Sequence, residues 1–113
     1  MTAKRNPLKL NKLQLRTLAI LQQMARSNGH AQPGDEPDSV MVSNFPPPHG
    51  DHFHIGDAVV RARDATGLAN PAVFTALERK GLIRSLFPMG AVLNAAALTY
   101  DTGIAESVLH RHH

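Results

Sequence analysis

The stretch DAVVRARDATGLANPAVFTALERKGLI, residues 57–83, decides how this chain is expected to fold. Its punctuation predicts two short helices joined at a glycine and followed by an apolar strand. Gly67 can take the left-handed conformation that ends a helix, and Leu68 just after it can cover the core. Asn70 then offers a side-chain acceptor to a free backbone N–H, while Pro71 at the first helical position sacrifices no hydrogen bond and brings its φ preset. Val73, Phe74 and Leu77 form an apolar stripe at helical spacing, and Gly81 stops that helix before Leu82 and Ile83. Asp57 is the expected cap of the first helix of the pair. Two helices meeting at a tight glycine turn can present the second to a DNA major groove.

The run Ala65-Thr66-Gly67-Leu68, followed by Ala76-Leu77-Glu78-Arg79-Lys80-Gly81-Leu82-Ile83, resembles the core of winged helix-turn-helix transcription regulators. Leu98-Thr99-Tyr100-Asp101-Thr102-Gly103 is similar to the segment that follows the wing in MarR-type and PadR-type repressors. The resemblance spans about residues 53–109. It implies an α+β, mostly helical winged helix-turn-helix: helix, short strand, two helices, β-hairpin wing and C-terminal helix. It also implies a cytoplasmic, non-enzymatic transcriptional regulator without a cofactor. Such a regulator would bind double-stranded DNA as a homodimer through its first and last helices.

At 113 residues and 42% hydrophobic content, the chain suits one compact core rather than two. A basic arm over residues 1–10 is expected to precede a single domain over 11–113, with a disordered Pro/Gly-rich insertion at about 29–50. No apolar run reaches membrane-spanning length and no signal-peptide pattern opens the chain, so a soluble intracellular protein is expected. The absence of cysteine excludes disulfides, thiol chemistry and the common zinc-finger sites, leaving His and carboxylates as metal ligands. The net charge of +3 is unevenly spread. Lys4, Arg5, Lys9, Lys12, Arg16 and Arg26 all precede the first acid, Asp35. An acid-free basic segment suits an anionic partner such as phosphate backbone, or is simply a solvated face.

Asn11 and Gln14 have capping-box spacing and predict the start of a first helix. Leu13, Leu18, Leu21 and Met24 give it one apolar face. Leu15 and Ile20 widen that face, which fits either a dimer contact or a central core helix. After Asn28 and Gly29, the prolines at 33, 37, 46, 47 and 48 forbid a regular helix. Val40-Met41-Val42 is the exception, a candidate extra strand. Pro46 to Pro48 reads as a stiff connector, with docking into an aromatic groove as the alternative. Residues 53–55 are the expected first strand. Residues 83–87 and 91–98 are the expected arms of the wing, turning at Pro88-Met89-Gly90. Thr99 or Asp101 should then start a last helix with Ile104, Val108 and Leu109 on one side.

Base reading needs paired donors or acceptors near the start of the recognition helix. Asn70 and Thr75 are the polar candidates, and Ala72 offers a methyl contact to thymine. Arg79, Lys80 and Arg84 suit phosphate contact, aided by Arg61 or Arg63 and by Lys9, Lys12 and Arg16 from the basic segment. Arg79 and Lys80 equally suit plain complementation of a helix dipole. Protein docking through Phe74, Leu15 and Ile20 is the alternative function.

The histidines form two clusters. Imidazoles at alternate strand positions share a side, so His52 and His54 can meet a metal with His49 or Asp51, making a metal or pH sensor a further alternative. No helical H-E-x-x-H pattern supports a metal, and solvated, titrating loop histidines are the competing explanation. His110, His112 and His113 read as a flexible tail. Catalysis finds no nucleophile elbow and no phosphate-cradling loop, and Asp35-Glu36-Pro37-Asp38 reads as a loop.

Overall fold

The capping box forms. Asn11 accepts from the Gln14 N–H at 2.8 Å and donates its own N–H to Gln14 Oε1 at 3.0 Å, starting helix α1 (Lys12–Ala25) in the computed structural model, which describes residues 6–47 and 50–111. Leu15, Leu18, Ala19, Ile20, Leu21 and Met24 are all buried, as are the polar Thr17, Gln22 and Gln23. The width of the apolar face is therefore that of a central core helix. Leu15 and Ile20 are consumed inside the chain and offer no surface to a second copy or a partner protein.

The mostly helical winged-helix expectation is overturned, because two antiparallel sheets organise the domain around α1. One has the order β1-β2-β6-β5, built from β1 (Ala31–Pro33), β2 (Val40–Ser43), β5 (Ile83–Ser85) and β6 (Gly90–Leu93). Its inward Val42, Ala91 and Leu93 are fully buried. The other joins β3 (His52–Ile55), β4 (Ala58–Arg61) and β7 (His110–Arg111). The stretch expected as a disordered insertion thus supplies two strands, the second of them the Val40-Met41-Val42 run.

The first helix of the expected helix-turn-helix pair does not form. Its residues make β4, where Ala58 and Val60 are buried and Val59 and Arg61 face outward, the period-two pattern of a strand. Gly56, at φ 59, allows a two-residue hairpin loop that joins Ile55 to Ala58, directly paired across the ladder. Asp57 consequently lies in a turn and caps no helix. Only two 3₁₀ turns, Ala62–Asp64 and Thr66–Ala69, then lead to α2 (Pro71–Arg79). Gly67 is not in a left-handed conformation. It is required because a Cβ there would overlap Thr17 Oγ1 of α1.

The second half of the motif forms by the expected chemistry. Asn70 accepts from the Ala72 N–H at 3.0 Å, and Val73, Phe74 and Leu77 are buried. At the other end Gly81 has φ 77. Its N–H reaches the Glu78 carbonyl at 3.0 Å and the Leu82 N–H reaches Leu77 at 3.2 Å, which satisfies the orphan carbonyls of the last turn. Phe74 packs between Phe45 and Phe87, with ring centroids 6.4 and 5.1 Å away. Docking of a partner on Phe74 is therefore excluded by its complete burial.

Residues 95–98, expected as wing strand, form the short helix α3 (Ala95–Leu98), because Asn94 accepts from the Ala97 N–H at 2.9 Å. A single last helix is likewise replaced by α3 and α4 (Ala105–Val108). The described part of the expected basic arm is bound to the domain. Leu10 is buried, and Asn6 donates its backbone N–H to the Asp101 carbonyl at 3.0 Å. Asn6 Oδ1 also accepts from the Tyr100 hydroxyl at 2.6 Å. Lys4, Arg5, His49, His112 and His113 lie outside the described residues. No helix among the described residues is long and apolar enough to cross a membrane.

Candidate functional site

Alternation along the β3–β4 hairpin sorts its side chains. Ile55 turns into the core and Phe53 packs beside it, whereas His52 and His54 go to the opposite face. The register sets His52 opposite Arg61 and His54 opposite Val59, and β7 then sets His110 on the other side of Val59. One sheet face consequently carries three imidazoles and a guanidinium around a single valine. Together with Asp51, Ala62 and Arg63 they line an open cleft of about 700 Å³.

The two hairpin imidazoles touch edge to face, with centroids 4.9 Å apart and planes at 78°. Their Nε2 atoms are 3.1 Å apart. Asp51 Oδ1 lies 3.4 Å from Nδ1 of His52, and the Asp51 carbonyl accepts from the Ala62 N–H at 2.7 Å. That bond ties the approach to β3 against the turn that carries Arg63. On the opposite side of the sheet row, Nε2 of His110 is buried without a hydrogen-bond partner among the described residues.

Charge separates these arginines from Arg16 and Arg84, though not from Arg26 and Arg79, which also make no ion pair among the described residues. Arg16 lies 3.8 Å from Asp64 and Arg84 2.7 Å from Asp35, so each already has a carboxylate. Arg61 and Arg63 are exposed and make no ion pair among the described residues. Two guanidiniums without ion pairs among the described residues, sharing the cleft with imidazoles and the Asp51 carboxylate, are groups that can hold an anion, with planar faces that can also stack on flat rings.

The residues expected to read DNA bases are arranged less favourably. Asn70 spends its side-chain oxygen on the cap of α2. Ala72 and Thr75 are exposed on α2, Arg79 and Lys80 are exposed at its C-terminal end, and Lys9 and Lys12 flank the start of α1. None of these residues lines the histidine cleft. Arg84 lines a separate depression with its partner Asp35. Of the metal candidates, His52 and His54 are brought together. Among the described residues, no group of three or more His, Cys, Asp or Glu side chains is placed to hold a metal ion.

His110 is the member of this site that sequence reasoning missed, since its place depends on β7 pairing with β4. The local signal for the rest was the alternation in His52-Phe53-His54-Ile55 and Ala58-Val59-Val60-Arg61. Comparison of the chain with known protein families, characterised proteins and solved structures finds no significant match.

Proposed function

We propose that this chain is a nucleic-acid-binding module that holds a phosphodiester strand on the β3–β4–β7 face. The observation that carries this is the pair Arg61 and Arg63, exposed and without ion pairs among the described residues, beside His52, His54 and His110 in one cleft. Guanidiniums bind phosphate oxygens bidentately, and imidazole and guanidinium planes stack on unpaired bases. That combination favours a single strand over a duplex, whose bases are shielded inside the helix. The cleft size is that of a nucleotide-scale ligand site. The protein acts by binding, and its modest charge gives weak, salt-sensitive association rather than a tight complex.

The test is fluorescence anisotropy with mixed-sequence single-stranded and duplex DNA across a salt series. If Arg61 and Arg63 each neutralise one phosphate, the log–log slope for a single strand is about −1.4. Arg61→Ala or Arg63→Ala reduces it by about 0.7. Tighter binding to duplex, with sensitivity at Arg79 and Lys80 instead, transfers the function to α2 and to regulation on double-stranded DNA. Absence of binding at low salt overturns both.

A further inference from the structure

We propose that His52 and His54 form a two-imidazole seat for one borderline divalent cation, of the zinc, nickel or copper(II) class. This inference does not rest on nucleic-acid binding. Its basis is the 3.1 Å separation of the two Nε2 atoms. Nitrogens bound to one tetrahedral zinc at about 2.0–2.1 Å must lie roughly 3.3–3.4 Å apart, so the pair needs to open by only a few tenths of an ångström. The edge-to-face rings, at 78°, allow both nitrogens to turn toward a common point above the sheet. Asp51 Oδ1, 3.4 Å from Nδ1 of His52, favours the tautomer that keeps the Nδ1 proton, so that Nε2 of His52 accepts from Nε2–H of His54. The cation replaces that shared proton as His54 shifts to its Nδ1–H tautomer. A carboxylate behind a ligating imidazole is the usual outer partner of a metal-bound histidine.

The hairpin holds the seat ready. His52 and His54 are two residues apart on one strand and share its face, and the two-residue loop at Gly56 locks the ladder behind them. Their shared cleft leaves the remaining coordination positions open to water or to an anionic ligand. A site with two protein ligands and open positions is exchangeable rather than structural. The fold itself does not depend on it, since His52 is only partly buried and His54 is exposed.

The experiment is a titration of the protein with zinc alone, without nucleic acid, read by calorimetry and by imidazole nitrogen NMR. A background carrying His112→Ala and His113→Ala removes competition from the end of the chain. The expected result is one ion per chain with shifts at His52 and His54, weakened about tenfold or more by His52→Gln or His54→Gln. Asp51→Asn weakens binding about tenfold while leaving the stoichiometry unchanged. His30→Gln leaves it unaltered. Backbone amide spectra of α1 and α2 that match wild type exclude loss of fold as the cause. Undiminished zinc binding in His52→Gln/His54→Gln, or no shift at either imidazole, overturns the seat. Because no nucleic acid is present, that failure would leave the strand-binding function standing.

Discussion

Gly67, in the turn that leads to α2, lies so close to Thr17 of α1 that one added methyl would overlap the threonine hydroxyl. Thr17 cannot swing away freely, because it is fully buried and donates to the Leu13 carbonyl at 2.8 Å. Gly67→Ala is therefore expected to cost about 1–3 kcal/mol as an overpacked contact. Thr17→Ala removes the hydroxyl, so the double variant should recover part of the loss. Urea unfolding of the four proteins checks this coupling, and simple addition of the two losses would contradict it.

Phe74 supports the fold from inside. Phe74→Ala should cost about 3–5 kcal/mol, near the limit that a small domain tolerates. Phe74→Leu should retain a cooperative but lower thermal transition. A Phe74→Ala protein with wild-type thermal stability would contradict the packing of Phe45, Phe74 and Phe87.

Tyr100 clasps the beginning of the described chain. Its hydroxyl donates to Asn6 Oδ1 and accepts from the Leu8 N–H at 3.0 Å, while Asn6 Oδ1 also accepts from the Leu10 N–H at 2.8 Å. Tyr100→Phe leaves the Leu8 N–H without its acceptor and is expected to cost about 1–3 kcal/mol. Amide exchange should accelerate at Leu8 more than in α2. Unchanged protection at Leu8 would show that the clasp contributes nothing.

Arg84 provides a contrast with the cleft arginines. Its 2.7 Å pair with Asp35 joins two largely exposed side chains, a geometry worth less than about 1 kcal/mol. Arg84→Ala should thus barely change the unfolding midpoint. Its carboxylate partner already balances the charge, so affinity for a single strand should stay near wild type. A loss equal to that of Arg61→Ala would move the binding face away from the histidine cleft.

The parts legible in the sequence were those set by neighbouring residues. The Asn11 and Gln14 pair marks the start of α1, Asn70 and Pro71 that of α2, and Gly81 the end of α2, each through bonds within a few residues. Val40-Met41-Val42 and the turn before Gly90 were also local. Residues 58–61 were not, because a short apolar run suits helix or strand alike and the deciding partner is the ladder to β3. The reason for Gly67 lies on another element, at Thr17. The cleft was legible only in part. The shared side of His52 and His54 follows from alternation, whereas Arg61 and His110 enter through register across three strands. At residues 94–98 the signal was present but outweighed by the wing resemblance, since Asn94 followed by alanines is itself a helix start.

The strand order β1-β2-β6-β5 sets a timetable for the chain. β2 pairs with β6 from Val40 opposite Leu93 to Ser43 opposite Gly90, so its inner partner is synthesised long after β2 itself. The β3–β4 hairpin closes through a two-residue loop, so both of its strands are neighbours in the chain. The His52 and His54 part of the cleft therefore rests on local pairing, whereas His110 on β7 and the buried side of Val42 both wait for distant segments. Closure of the late β2–β6 pairing pays the entropy of the long intervening loop. A chain interrupted before residue 90 would lack both the partner strand of β2 and the strand that brings His110 to the cleft.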